Sequence, residues 1–382
     1  MRVPLLDLKP QYLSIKNEIM SSLDEVITSQ HFILGPNVEK LEQEIAAYCG
    51  SPHAVGVNSG SDALLLSMMA LDIKPGDRVI TTPYTFFATV GSICRLNAEP
   101  LFVDIDPDTY NIDPDKLESL LDSLSEKDRT KVKAIIPVHL YGQCADMEKI
   151  LAAAEKYEIA VIEDAAQALG ASCTLNNTVK KSCAMGDFGC LSFFPSKNLG
   201  CFGDGGMITV KNEGTAKKLK SLRMHGMGET YFHQHVGMNG RLDALQAAVL
   251  LVKLPHLDLW AEKRSENAGL YNKLFEDLGL LSHISPPQTG NGFKHVFNQF
   301  VIRAENRDDL RNHLISKEIG CAIYYPLSLH MQECFQFLGY KEGDFPESEK
   351  ASKETLALPV YPELEKAQIH YVAEQIENFY KA

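Results

Sequence analysis

The feature that most constrains the fold is an alternation of short β-branched runs with helical segments. Runs of strand length and composition lie at residues 54–58, 78–82, 100–104, 134–139, 159–164, 189–194 and 206–210. Segments with helical periodicity separate several of them, at residues 61–73, 87–97, 114–126 and 144–158. This alternation predicts a three-layer α/β/α fold with a mostly parallel, seven-stranded sheet covered by helices on both faces.

The pattern changes after about residue 215, where longer helical segments follow at residues 215–225, 241–254 and 259–278. A stretch rich in Pro and Gly then leads into an alternating run that ends near residue 305. We therefore predict a large α/β domain over residues 1–254 and a smaller C-terminal α+β domain over residues 255–382. In the large domain, ligands should bind beyond the carboxyl ends of the strands, in the loops after Asn58, Thr82, His139 and Asp164.

Charge and cysteine usage argue against several classes of partner. The chain has 37 basic and 50 acidic residues, a formal charge of -13, and no cluster of Lys and Arg that could hold nucleic acid or an anionic membrane. Its nine cysteines form no CxxC pair, which favours free thiols over a disulfide framework or a metal site. No leader peptide and no membrane-spanning run is evident, so we expect a cytoplasmic protein.

Lys197 stands in an unusual local sequence, SFFPSKNLGCFGDGG, at residues 192–206. Phe193, Phe194 and Pro195 precede it and a glycine-rich stretch follows, so the backbone there can approach a ligand closely. Burial by the aromatic residues would favour an uncharged, reactive amine. The alternative is an ordinary solvated lysine.

Two other loops carry groups that complement such an amine. The segment Ser59–Asp62 joins a strand to a helix, so free N–H groups and hydroxyls could hold a phosphate there, or simply cap the helix. Asp164 ends an apolar strand 33 residues before Lys197 and is either a ligand contact or a helix cap. An amine, a carboxylate and a phosphate site together fit pyridoxal phosphate, which forms a Schiff base with lysine and keeps its ring nitrogen protonated beside an aspartate.

Over nearly its whole length the chain resembles the DegT/DnrJ/StrS family of pyridoxal-phosphate-dependent sugar-nucleotide aminotransferases, which have the fold type I architecture. The matching segments occur in the family's order: VPLLDLKPQY, FILGPNVEKLEQEIAAYCG, VNSGSDALLLSMMAL, PYTFFATVGSI, PVHLYGQCADM, VIEDAAQALGA, SFFPSKNLGCFGDGGMI, RMHG, GMNGRLDALQAAVL and YYPLSLHMQ. The resemblance therefore rests on ten segments and not on one motif.

The resemblance implies a role for each matching position. Lys197 would be the catalytic lysine bound to the cofactor and Asp164 the catalytic partner of the ring nitrogen. The other implied cofactor contacts are Gln167 near the ring, Phe86 stacked on it, Gly60, Ser61 and Ser192 at the phosphate, and Asn239 from the neighbouring subunit of a homodimer with shared sites. Phe86 could instead be a plain core residue.

Three further positions are candidates for binding substrate: Arg241, Tyr325 and His330. Arg241 could equally form an ion pair, and His330 could be a packed or surface histidine. Where many family members have a histidine this chain has Tyr324, which leaves that contact in doubt. Leu169 and Ser61 also replace the family's commoner histidine and threonine, without removing any of the chemistry.

The resemblance implies transfer of an amino group, usually from L-glutamate, to a keto group on a nucleotide-linked sugar. The YYPLSLH motif resembles members that act at sugar C3 more than those that act at C4. The product would be an amino sugar for a glycan such as lipopolysaccharide.

Three other functions are alternatives to transamination. A non-catalytic regulatory protein that binds pyridoxal phosphate is the main alternative, although keeping Lys197, Asp164 and Asn239 together would then be unexpected. Sugar dehydratases of the family replace the lysine by histidine, which disfavours that activity. A nicotinamide-dependent oxidoreductase is disfavoured because no GxGxxG follows a strand.

Overall fold

The computed structural model describes residues 1–381. Its α-helices are α1 (Lys9–Ser14), α2 (Lys16–Ser29), α3 (Pro36–Cys49), α4 (Gly60–Ala70), α5 (Phe87–Arg95), α6 (Pro114–Ser123), α7 (Glu126–Arg129), α8 (Met147–Lys156), α9 (Glu213–Leu222), α10 (Ala244–Lys253), α11 (Leu257–Asp277), α12 (Arg307–Ser316), α13 (Pro346–Glu354) and α14 (Lys366–Lys381). Its strands are β1 (His53–Val57), β2 (Arg78–Thr81), β3 (Glu99–Phe102), β4 (Val132–Ile135), β5 (Ala160–Asp164), β6 (Ser172–Leu175), β7 (Thr178–Lys181), β8 (Phe188–Ser192), β9 (Gly206–Val210), β10 (Met227–Glu229), β11 (Phe232–His233), β12 (Ile284–Ser285), β13 (Phe293–Lys294), β14 (Phe300–Ala304) and β15 (Thr355–Leu358).

A seven-stranded sheet forms the centre of the large domain, with the strand order β1-β9-β8-β5-β4-β2-β3. All pairings are parallel except those of β9, which runs antiparallel to both of its neighbours. These seven strands correspond to the seven predicted runs, so the predicted fold class is confirmed. The crossovers place the ends of β2, β4, β5 and β8 at one edge of the sheet.

Helices cover both faces of this sheet, as expected for strands that are apolar on both sides. On one face α4 and α9 contribute Leu64, Leu66 and Leu219 to a buried cluster. On the other face α3, α8 and α10 form a larger cluster whose members include Leu41 and Ile150. The two helical layers therefore hold the central sheet in place, and the candidate site lies at one edge of that sheet.

A second core lies in the C-terminal part of the chain. Helices α11, α12 and α14 pack there with the small sheet β12-β14-β15 around Tyr271, Phe300 and Ile376. Val3 belongs to the same cluster and pairs with Ile319, so residues near the start of the chain complete it. The predicted division at 254/255 falls just after α10, and it stays a prediction.

The helical segment Ala244–Asp277 is the one part of residues 1–381 that is long and apolar enough to cross a membrane by length and composition. Its most apolar window has a mean hydropathy of 1.2, but 56% of that window is buried inside the protein. Its first helix, α10, packs against α2 and α3. The segment is accounted for as a core element of the fold.

Candidate active site

Lys197 lies in a tight loop that follows β8. Its backbone N–H donates to the Phe194 carbonyl at 2.8 Å, and a Cβ on Gly200 would lie only 2.3 Å from the Pro195 carbonyl oxygen. Burial lowers the pKa of the Lys197 amine to about 8, although the nearby charge of Asp164 acts in the opposite direction. The amine is therefore easier to deprotonate than that of an ordinary surface lysine. Phe194, which we expected to shield it, is 51% exposed.

Asp164 ends β5 and is buried, with 5% of its surface exposed. One carboxylate oxygen, Oδ2, accepts a hydrogen bond from Thr89 Oγ1 at 2.8 Å, and the other accepts from the Ala166 N–H at 3.2 Å. No α-helix starts at the residues that follow, so Asp164 is not a helix cap. Burial raises the pKa of Asp164, while both hydrogen bonds and the charge of Lys197 hold it down.

The start of α4 lies against the end of β8. Ser59 caps the helix, accepting the Asp62 N–H at 3.0 Å, while a Cβ on Gly60 would lie 2.8 Å from Ser192 Cβ. This closeness requires glycine at position 60 and brings the Ser192 hydroxyl beside the free N–H groups of the helix. Gly60, Ser61 and Ser192 are therefore arranged as an anion site at a helix N-terminus.

A hydrogen bond joins the side chains of Gln167 and Tyr325. Gln167 Oε1 accepts the Tyr141 N–H at 2.6 Å, and its Nε2 donates to the Tyr325 hydroxyl at 3.2 Å. Burial raises the pKa of Tyr325, so it keeps a proton that it can donate to a ligand. Phe86 is 58% exposed and its ring centroid lies 6.2 Å from that of Tyr325. An exposed ring at this position is not the plain core phenylalanine of the alternative.

Asn239 and Arg241 flank Gly240, whose carbonyl accepts the Asn58 N–H at 3.1 Å, just before the anion site. Asn239 is exposed on this single chain. The Nε of Arg241 is buried and has no hydrogen-bond partner among residues 1–381. The ion-pair alternative for Arg241 gains no support, and a ligand contact would satisfy its unpaired donor.

His330 does not lie open to solvent in the described chain, and its substrate contact stays a prediction. The residue is 1% exposed, its Nε2 lies 3.1 Å from Glu349 Oε1, and its ring packs edge-on against Phe345. The surrounding protein encloses the imidazole, as in the packed-histidine alternative. Burial lowers its pKa, opposed by the Glu349 carboxylate.

Sequence reasoning missed two groups at this site. Thr89, whose hydroxyl contacts Asp164, lies in α5, and Tyr84 shares a buried network with Tyr141 and Thr355. For Thr89 the available signal was a second threonine four residues earlier, Thr85, which lies just before the helix that starts at Phe87. For Tyr84 no signal existed, because its partners lie 57 and 271 residues away in the chain.

These groups fit pyridoxal phosphate. A partly buried amine of lowered pKa, a buried carboxylate with both oxygens held in place, and an anion site at a helix start match its aldehyde, ring nitrogen and phosphate. The close contact of Gly60 with Ser192 is the most specific of these observations, since any larger residue would displace the anion site.

Comparison with known proteins agrees with this chemistry. The model of the DegT/DnrJ/EryC1/StrS aminotransferase family matches residues 13–377. A protein of Geobacillus stearothermophilus described as a pleiotropic regulatory protein is 50% identical, covering 100% of this chain and 99% of its own length. A UDP-N-acetyl-3-dehydro-alpha-D-glucosamine 3-aminotransferase of Acidithiobacillus ferrooxidans is 39% identical over 98% of this chain and 97% of its own. The crystal structure of DesV of S. venezuelae superposes with a TM-score of 0.93 at 36% identity, covering 100% of this chain and 99% of DesV.

Proposed function

The chain belongs to the DegT/DnrJ/EryC1/StrS aminotransferase family, and from this premise we propose that it transfers the amino group of L-glutamate to the C3 keto group of a nucleotide-linked sugar. The single observation that carries the proposal is the arrangement of Lys197, Asp164 and the Gly60–Ser192 anion site at one sheet edge. A 3-aminotransferase acting on a UDP-linked sugar among the relatives supports the choice of C3.

Pyridoxal phosphate is the cofactor of this enzyme, and when bound it supplies the carbon that carries the amine from donor to acceptor. In our proposal, Lys197 Nζ removes the proton from the donor's α-carbon and returns protons during the second half of the reaction. The Asp164 carboxylate keeps the ring nitrogen of the cofactor protonated and positively charged. The helix start at Gly60, together with Ser61 and Ser192, binds the phosphate, while Gln167 and Phe86 hold the ring.

The proposed substrate contacts are Tyr325 and Arg241. The Tyr325 hydroxyl keeps a proton to donate, because its one partner, Gln167 Nε2, is itself a donor. The Arg241 Nε needs an acceptor, which a diphosphate or sugar hydroxyl can provide. The amino sugar formed would serve glycan assembly, such as that of lipopolysaccharide.

We further propose a homodimer in which Asn239 completes the phosphate site of the other subunit. The segment before Asn239 exposes large apolar side chains: Tyr231 is 87% exposed, Phe232 71% and Val236 92%. Side chains of this kind are usually covered by a partner. The position of Asn239 just after this apolar segment supports a contribution from the second subunit.

The relative described as a pleiotropic regulatory protein favours the second candidate, a binder of pyridoxal phosphate without turnover. Mixing the loaded protein with glutamate distinguishes the two. A transaminase converts the cofactor to its amine form with a change in absorption and releases 2-oxoglutarate, whereas a binder leaves the spectrum unchanged.

The substrate is tested with the amine form of the loaded protein and a panel of UDP-, dTDP- and GDP-linked keto sugars. We expect a 3-keto sugar to restore the aldehyde absorption, and 4-keto sugars of the same nucleotide to react far more slowly. Faster reaction with a 4-keto sugar would overturn the C3 assignment. Reaction with no keto sugar, despite conversion by glutamate, would overturn the sugar-nucleotide proposal.

A further inference from the structure

Two buried threonines lie at the start of α5, Thr85 two residues before the helix and Thr89 in its first turn. Thr85 and Thr89 are 1% and 0% exposed, and their hydroxyl oxygens lie 3.0 Å apart. Thr89 Oγ1 lies 2.8 Å from Asp164 Oδ2. An ionised carboxylate can only accept, so Thr89 donates to Asp164 and Thr85 must donate to Thr89. The three residues form a hydrogen-bonded chain with one direction.

We propose that Thr89, supported by Thr85, is a positioning residue that keeps the Asp164 carboxylate ionised and aimed at the ring nitrogen of the cofactor. The inference rests on the role proposed above for Asp164. Phe86, the proposed stacking residue, is the N-cap of α5, so the start of this helix positions both the residue on the ring face and, through Thr89, the partner of the ring nitrogen. Without the Thr89 hydroxyl, only the Ala166 N–H at 3.2 Å would hold the carboxylate.

Removal of the Thr89 hydroxyl should act through the charge state of Asp164. A hydrogen bond to the ionised form lowers the pKa of a carboxyl group, so its loss raises the pKa of Asp164. The other titratable groups near Asp164 are Lys197, His139, Cys190 and Tyr325, and none of them changes in such a variant. As pH falls, Asp164 would then take up its proton at a higher pH than in the natural chain.

The test compares Thr89→Val, Thr89→Ser and a matched control, Thr81→Val. Thr81 is equally buried, and its hydroxyl donates to the Ile136 carbonyl at 2.9 Å, not to Asp164. We measure the dissociation constant of pyridoxal phosphate for each cofactor-free protein, and the absorption of each loaded protein, from pH 5 to 9. If Thr89→Val does not fold, Thr89→Cys replaces it, since a thiol is only a weak donor.

At neutral pH we expect Thr89→Val to bind pyridoxal phosphate about tenfold to a hundredfold more weakly, as for loss of a hydrogen bond to a charged group. Its affinity should also begin to fall at a higher pH than that of the natural chain. Thr89→Ser should stay within about threefold of the natural chain because it keeps the donor. If the affinity and pH profile of Thr89→Val match those of Thr81→Val, the proposal is overturned.

A parallel measurement on Asp164→Asn separates this inference from the proposed function. If Asp164→Asn leaves the affinity and absorption unchanged, Asp164 is not the partner of the ring nitrogen, and both proposals fail. If Asp164→Asn weakens binding while Thr89→Val does not, only the role of Thr89 fails.

Discussion

At the scale of single residues, the Lys197 amine is held in an environment that disfavours its charge. Burial outweighs the attraction of Asp164 and lowers the pKa of the amine from 10.5 to about 8. The environment that would serve the proposed catalysis therefore costs stability, because the folded protein must bury an ammonium group at neutral pH.

The pH dependence of stability follows from this pKa. Below pH 8 the amine is protonated in both the folded and the unfolded chain, so the cost of burying its charge is fully present. Between pH 8 and 10.5 the folded chain binds fewer protons than the unfolded chain, so the free energy of unfolding of the cofactor-free protein should rise with pH.

Urea denaturation of the natural chain and of Lys197→Met at pH 7 and pH 9.5 measures this effect. Lys253 also has a pKa lowered to about 8 by burial, so it contributes to the pH dependence of stability in both proteins. The difference in stability between the two proteins therefore isolates the effect of Lys197. We expect Lys197→Met to be the more stable at pH 7 and its advantage to shrink at pH 9.5. An advantage that does not change with pH would contradict the account.

At the scale of elements, the anion site depends on how closely α4, β8 and β9 approach one another. A Cβ on Gly206, the first residue of β9, would lie 2.4 Å from the Ser59 carbonyl oxygen. That oxygen belongs to backbone and cannot move without moving the start of α4. Glycine at 206 therefore sets the position of the helix N-terminus relative to the sheet.

We predict that Gly206→Ala costs about 1–3 kcal/mol of stability through overpacking and also weakens the binding of pyridoxal phosphate. Gly269→Ala is the matched control, since a Cβ at this position in α11 meets nothing within 4 Å. The control should stabilise the protein by about 0.5–1 kcal/mol, as expected for alanine in a helix interior. Urea denaturation and cofactor titration measure both effects, and equal stability of the two variants would contradict this packing.

The elements also show how far the sequence alone could reach. The seven runs of β-branched residues predicted all seven strands of the central sheet, because strands buried on both faces are apolar without interruption. Helix α3 was not predicted, although Val38, Leu41 and Ile45 have helical spacing. The short strand pairs β6–β7 and β10–β11 have too few buried residues to produce a recognisable hydrophobic pattern in the sequence.

Local sequence predicted only part of the candidate site. Lys197 and Asp164 could be proposed from their local sequences, whereas Gln167, Phe86, Ser192 and Asn239 came only from resemblance to the family. The contact between Thr89 and Asp164 joins residues 75 apart and depends on the order of strands in the sheet, which local sequence does not encode. The burial of His330 likewise comes from residues 345 and 349, which pack on it only in the folded chain.

At the scale of the whole molecule, the two cores are connected by specific contacts. Asp104, after β3, accepts hydrogen bonds from the N–H groups of Glu347 and Ser348 at 3.0 and 2.9 Å and so caps α13. Phe345, the residue that precedes α13, supplies no such cap. The loop after β3 of the central sheet thus holds the start of α13 in the C-terminal part of the chain.

The proposed dimer predicts that inactive variants can restore each other. Lys197→Ala and Asn239→Ala should each be inactive or strongly impaired as homodimers. When the two are unfolded together and refolded, a mixed dimer contains one site with both natural residues, so activity should return to about a quarter of that of the natural protein. No recovery, with mixed dimers present by mass spectrometry, would contradict a shared site.

The central claim is that pyridoxal phosphate is bound covalently to Lys197, and borohydride reduction followed by peptide mass spectrometry tests it most directly. We predict that the reduced cofactor is found on the peptide containing Lys197, and that Lys180→Ala, a change at an exposed lysine, leaves the labelling intact. Lys197→Ala should keep the fold but lose both the label and turnover. A label on a different lysine, or none, would contradict the account.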